Sequence, residues 1–306
     1  MSCNHNHHNH GDSTIKLLFT IILNLIISVS QFIGGMLSGS LALMSDALHN
    51  LSDVISLIIS LIANKLSHTE YTNEKTYGWR RAEILASLFN STTLFLLALY
   101  LMYEAIVQII SNDYNITNVE YIIYLALLSV VVNGVSVLIL FKDSKNSINI
   151  RSSYLHLLTD MFTSIAVLFG GIIMYFYNIY YIDSILTILI GLYLLKHSID
   201  IIKESSFILL HFTPKDISLL EIEKRVVENK EILNIHHIHI WQLDDVETYM
   251  ECHIDLKNDL KLSEVDELIV KISKMLKDEF NIFHVTIQPE FNFKDNKSIV
   301  VKKHKH

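Results

Sequence analysis

Six apolar segments dominate this chain, at 15–36, 41–64, 83–110, 119–141, 153–177 and 181–203. Each is close to the roughly 20 residues that an α-helix needs to cross a bilayer. Within hydrocarbon every backbone N–H and C=O must find its partner inside the protein, and runs of this length and character read as membrane-spanning helices. The composition agrees. With 51% hydrophobic residues, 18% charged residues and a mean hydropathy of +0.36, the chain is too apolar for an ordinary soluble domain. The connections alternate in chemistry. Lys65, Lys75, Arg80 and Arg81 lie between the second and third segments, and Lys142, Lys145 and Arg151 between the fourth and fifth. The stretches 37–40, 111–118 and 178–180 contain no Lys or Arg. Basic loops stay on the cytoplasmic side, so both termini are expected there too.

After Lys203 the pattern changes. The segment 216–229 has helical periodicity through Ile217, Leu220, Ile222, Val226 and Val227. The stretches 232–241 and 248–256 alternate like strands, and 283–288 reads as a last strand. Between them Ser263, with Asp266 three residues on, resembles a capping box and opens a helix whose apolar face is Val265, Leu268, Ile269, Ile272, Met275 and Leu276. The order αββαβ predicts a small α/β domain with its helices on one face of a sheet. The expected organisation is a polar, His-rich tail at 1–14, a six-helix membrane domain at 15–205, an α/β domain at 206–291 and a Lys- and His-rich tail from 292.

Two of the apolar runs carry the same quartet, His49-Asn-Leu-Ser-Asp53 and His156-Leu-Leu-Thr-Asp160. Residues i and i+4 share a helix face, so each quartet presents an imidazole beside a carboxylate. Ionisable groups at membrane depth are costly, and by default they mark an ion path. A single such histidine is as readily a hydrogen-bonded core residue. The quartet also recurs in the tail as His8 and Asp12, so the signal lies in two copies within two spans. Together they supply four N/O ligands, the number a tetrahedral Zn²⁺ site uses. Imidazole favours Zn²⁺ over Mg²⁺ or Ca²⁺. A ligating histidine must be neutral, so metal competes with protons at such a site. Asp46, on the same face, could be a fifth oxygen ligand, but it reads better as a helix-start residue near the outer surface. Asn24 and Asn133 are expected to bond between helices, and Gly34-Gly35 and Gly170-Gly171 to allow close helix packing.

Further histidines fall outside the apolar runs. His5, His7, His8 and His10, with Cys3, form a tract of the kind that binds metal loosely. His236, His237, His239, His253 and His284 fall on the three expected strands, with Asp255 and Glu290 nearby. Simple alternation puts His237 and His239 on one face and His236 on the other. Cys252 alternates away from His253 and reads as a small buried residue. The two cysteines are too few for a disulfide framework, and the polar N-terminus lacks the basic start of a secretory signal. A net charge of −8 argues against a nucleic-acid partner.

Several stretches resemble the cation diffusion facilitator family of metal transporters. They are GSLALMSDALHNLSD at 39–53, YGWRRAE at 77–83, HLLTD at 156–160, IHHIHIW at 235–241 and HVTIQ at 284–288, in the family's order. The resemblance implies a homodimer of six-helix protomers with a metallochaperone-like (ferredoxin-like) cytoplasmic domain. It also implies efflux of divalent metal, zinc by the His/Asp form of the quartets, in exchange for protons. The cell or inner membrane is the simplest location, and an organelle would give the same pattern. By the same resemblance the transport ligands are His49, Asp53, His156 and Asp160. Cytoplasmic metal positions fall at or near His236, His253, His284 and Glu290. Trp79 stands after Gly78 where some members have a histidine, so a further loop site is not expected. No organic cofactor is implied. A membrane metalloprotease is disfavoured because the chain has no HExxH motif. A metal sensor that binds without transporting is the alternative.

Overall fold

The computed structural model describes residues 9–67, 72–141, 148–244, 246–294 and 297–299. Within its helices the side chains of residues 9–20, 57, 60, 61, 63–67, 148–153 and 156 lie outside the description. Each of the six apolar runs is a helix: α1 (Asn9–Ser38), α2 (Leu41–Ser67), α3 (Ala82–Ser111), α4 (Val119–Phe141), α5 (Ile148–Tyr177) and α6 (Tyr181–Leu209). The last runs past Lys203, because helical hydrogen bonding does not stop where apolar character does. Among the described residues, Ile21–Ser38, Ala82–Ser111, Val119–Phe141, Leu157–Tyr177 and Tyr181–Leu209 are long and apolar enough to cross a membrane. The remaining helix, α2, is 27 residues long and interrupts its apolar run with Asp46, His49 and Asp53.

The chain divides into two compact units, Met1–Ile62 with Ser87–Ile202, and Ala63–Ala86 with Lys203–His306. In the first, α4 packs against α5 and α1. Its core is Ala42, Leu43, Leu94, Ala98, Ile122, Ala126, Val167, Met174, Ile190 and Leu194. The outward faces stay apolar: Ile110 is 80% exposed and Leu138 74%. A soluble domain would not tolerate so much exposed hydrocarbon, whereas lipid is the natural solvent for it. Tyr100, Tyr103, Tyr121, Tyr124, Tyr175, Tyr177 and Tyr181 are exposed on these helices, as interfacial aromatics are. A Cβ at Gly34 would strike Leu125, one at Gly35 Met44, and one at Gly170 Leu186, so these glycines do permit close packing. Gly39, with φ of +75°, makes the tight turn between α1 and α2. Beside that turn Asp183 of α6 accepts from the Leu41 N–H at 2.8 Å, the Ala42 N–H at 3.3 Å and the Ser40 hydroxyl, which closes the α2 N-terminus.

The second unit contains α7 (Leu219–Val227), β1 (Ile232–Gln242), β2 (Thr248–Leu256), α8 (Leu262–Phe280) and β3 (Ile282–Glu290). The expected order αββαβ is therefore observed, and with it the helical membrane domain plus α/β domain. The strands form one sheet in the order β1-β2-β3. β1 pairs antiparallel with β2, and β2 pairs parallel with β3. Both helices cover one face, where Ile222, Val226, Val265, Leu268, Ile272 and Leu276 meet Ile235, Ile240, Met250, Cys252 and Ile254. Cys252 is buried as expected, and burial, with Glu251 adding, pushes its thiol up to about 12. α8 is capped by Lys261 and Glu264, two residues ahead of the expected Ser263 and Asp266, and the Glu264 carboxylate accepts from the Lys261 N–H at 2.8 Å.

One feature of β1 departs from simple alternation. His236 pairs with His253 and His239 with Glu251, so two residues, His237 and Ile238, oppose Cys252. This is a β-bulge, and His237 adopts φ of +53° to make it. The bulge shifts the pleat by one residue. His236 and His239 therefore share the face of Glu251 and His253, away from the helices, and Ile238 turns into the core at 2% exposed. The face reading from strict alternation is corrected accordingly.

Candidate metal centres

In the membrane unit α2 places His49 and Asp53 one turn apart, and α5 brings Asp160 against them. His49 Nδ1 lies 3.4 Å from Asp53 Oδ2, and His49 Nε2 lies 3.5 Å from Asp160 Oδ1. His49 and Asp160 are buried, and one ligand atom from each of the three residues falls within 4.8 Å of the others. A tetrahedral zinc site with bonds of about 2.0–2.2 Å holds neighbouring ligand atoms roughly 3.3–3.6 Å apart. The two measured separations lie in that range. Two carboxylates and one imidazole at this depth form a net negative pocket that a dication would balance. His156 is on α5 one turn before Asp160, and its side chain lies outside the described residues.

Asp46 is not a surface residue at the helix start. It is fully buried and accepts from Thr163 Oγ1 at 2.8 Å, Ser164 Oγ at 2.8 Å and Gln31 Nε2 at 2.9 Å. These bonds link α2 to α1 and α5. The chain of polar groups continues from Ser164 to Ser129 at 2.9 Å and from there to Asn133 at 3.5 Å. Asn133 thus reaches α5 through a serine of its own helix. Asn24 is buried, and its Oδ1 has no hydrogen-bond partner among the described residues. The sequence reading also passed over α6. The ring of His49 meets Tyr193 edge-on at 5.6 Å and His197 at 6.1 Å. Their signal was present: an ionisable His197 inside an apolar run, one turn after an aromatic residue.

The second cluster lies on the helix-free face of the sheet. His253 Nδ1 is 2.8 Å from Glu290 Oε1, and His236 Nε2 is 3.4 Å from Glu290 Oε2. One ligand atom from each of these residues again falls within 4.8 Å of the others. Asp255 Oδ2 lies 3.8 Å from His236 Nδ1. This donor set, two imidazoles with two carboxylates, fits a zinc-like ion. His284 is not part of it. The parallel register of β2 and β3 sets Gln288 beside His253 and His284 beside Tyr249, about 13 Å away at ~3.3 Å per residue. Its ring instead contacts Tyr249 at 5.0 Å. The N-terminal Cys3, His5, His7 and His8 lie outside the described residues, as does the side chain of His10.

A bundle of membrane-length helices that buries a His/carboxylate set, followed by an α/β domain with a second such set, is the plan of an ion-transport protein. Residues 17–210 match the cation efflux transmembrane domain, and residues 214–291 match the cation efflux protein cytoplasmic domain. The chain belongs to the cation efflux family of membrane transporters. It is 34% identical over 287 residues to a cadmium, cobalt and zinc/H(+)-K(+) antiporter of Bacillus subtilis, covering 92% of this chain and 91% of the relative. It is 32% identical over 290 residues to the metal cation efflux system protein CzcD of Cupriavidus metallidurans, covering 95% and 90%. It is 33% identical over 293 residues to the zinc transporter ZitB of Pectobacterium atrosepticum, covering 95% and 89%.

Proposed function

We propose that this protein is a secondary transporter that exports divalent metal, zinc foremost, from the cytoplasm in exchange for protons. The observation that carries the reading is the buried His49 imidazole between the carboxylates of Asp53 and Asp160. His156, one turn from Asp160, completes a four-ligand transport site. Metal enters when the imidazoles are neutral, and protons replace it when the site faces an acidic side. One pocket that holds either a dication or protons is the minimum that antiport requires. The names of the relatives, zinc transporter and zinc/H(+)-K(+) antiporter, support the same substrates. The functional unit is a homodimer in the cell or inner membrane, with both termini in the cytoplasm. His236, His253 and Glu290 form a cytoplasmic metal centre that tunes transport.

Zinc flux into proteoliposomes with an imposed pH gradient tests this. Flux should rise as the receiving side is acidified, and a trapped pH-sensitive dye should report proton counterflow. Asp53→Ala at matched protein level should give none. Zinc binding with no flux in the unaltered protein would make it a sensor and sink the transport reading. Running the assay with and without potassium on the receiving side tells whether that ion shares the exchange, as the name of the Bacillus subtilis relative states for that protein.

A further inference from the structure

The cytoplasmic cluster has an occupant drawn from its own chain. Lys297 Nζ donates to Asp255 Oδ1 at 2.8 Å and to Glu290 Oε2 at 3.0 Å, and it lies 3.5 Å from His236 Nε2. These are the same atoms, or the same carboxylates, that a dication would take. The Lys297 side chain is 29% exposed and is held in place by its neighbours. The His237 N–H bonds the Ser298 carbonyl at 3.3 Å, and the Ile238 N–H bonds the Ile299 carbonyl at 2.8 Å. Those two donors belong to the bulge, so the irregularity of β1 is what receives the segment. Ile299 then packs against the core of the domain.

We propose that Lys297 is a tethered cation that competes with divalent metal for the cytoplasmic centre, so that metal binding expels the ammonium and frees the segment 297–299 from the edge of β1. The proposal rests on the reading of His236, His253 and Glu290 as metal ligands. Two carboxylates that bond one ammonium lie too close to be left without a cation at little cost. Lys297 supplies one positive charge and three donors, and makes charge-assisted bonds to both. A zinc-like ion supplies two charges and also bonds the imidazole nitrogens, which an ammonium cannot do in the same way. Harder ions bind imidazole weakly and gain little from expelling the lysine. The tether keeps the competitor at an effective concentration on the order of millimolar or above. If the lysine occupies the centre nine-tenths of the time, the apparent affinity for metal falls about tenfold. The centre thus responds only above a threshold of metal, and it reports that response as release of the C-terminal segment.

The test uses the full-length protein in detergent, in a background carrying Asp53→Ala and Asp160→Ala to remove the transport site. Acetylation of lysines by an N-hydroxysuccinimide ester, read by mass spectrometry, should rise several-fold at Lys297 on adding zinc and stay constant at Lys274. Competition against a chromogenic chelator should show Lys297→Met binding zinc at least about tenfold more tightly than its parent. The labelling experiment needs no substitution at Lys297, so it decides the matter even if that variant fails to fold. Zinc binding that is lost in His253→Ala but leaves Lys297 labelling unchanged overturns the competition and leaves the metal centre standing. Zinc titrations that are the same with and without His253→Ala overturn the centre itself, and the competition with it.

Discussion

Asp46 shows what a single carboxylate can do one turn away from His49, a residue of the candidate transport site. All three of its partners, Gln31, Thr163 and Ser164, are neutral donors, and two of them are on the helix that carries Asp160. It therefore fixes α2 against α5 at the height where His49 meets Asp160. Asp46→Ala should leave the buried Gln31 amide without this acceptor, whereas Thr163 and Ser164 can turn to the Asp160 carbonyl and to Ser129. A buried donor left unsatisfied costs about 1–3 kcal/mol, so the melting temperature in detergent should fall and zinc flux with it. Asp46→Asn keeps an acceptor and should lose clearly less of both. Equal losses in the two variants would mean that the hydrogen bonds do not carry the effect. At the neighbouring site His49→Asp makes the ligand set all oxygen from α2 and should raise the Mn²⁺ rate relative to Zn²⁺ in the same vesicles. An unchanged ratio would place selectivity elsewhere. His49, Asp53 and Asp160 were legible in the sequence because a repeated spacing marks them. Asp46 was not, because its role depends on Thr163 and Ser164, which lie far away in sequence and whose position only the helix packing sets.

Elements were legible where periodicity is strong and obscure where one residue breaks it. The six long helices and the order αββαβ follow from runs of apolar residues, whereas the bulge in β1 leaves no mark in the alternation of Ile235, His236, His237 and Ile238. Its cost falls on His237, whose left-handed conformation is unfavourable for a non-glycine residue by roughly 1–2 kcal/mol. His237→Gly should then keep the register and stabilise the cytoplasmic unit, seen as a higher melting temperature, whereas His237→Val should lower it. Matched temperatures would show that the ring contacts of His237 with His239 and His253, at 5.1 and 4.7 Å, offset the backbone strain. Just beyond α6, burial holds the His211 imidazole below its ordinary value near 6.5, and the Arg81 guanidinium bonded to it adds to the shift. The unfolded chain therefore takes up a proton at higher pH than the folded one. That contribution to stability is complete above about pH 6.5 and is lost as the pH falls below it. His211→Asn suits the same left-handed backbone and should melt with a shallower dependence between pH 7.5 and 5.5 than the parent. An identical slope would assign the dependence to other histidines.

At the scale of the whole molecule, two candidate metal centres of similar donor chemistry belong to separate compact units. The division was legible, since hydropathy falls sharply after Lys203. Membership of the second centre was only partly so, because it depends on the β2–β3 register that selects Glu290 and passes over His284. Centres in different compact units should respond independently to substitution. Asp53→Ala should abolish flux yet keep the zinc-dependent rise in melting temperature that the proposed cytoplasmic centre should confer. A ligand that binds only the folded state at a hundred times its Kd stabilises by about 2.7 kcal/mol, enough to read in a thermal scan. The double variant His236→Ala with His253→Ala should do the converse, losing that rise while flux persists at a reduced rate. Should the double variant abolish flux as fully as Asp53→Ala does, the cytoplasmic centre would be a step of the transport path and not a regulator of it. Should its flux match the parent at every zinc concentration, the centre would have no part in transport.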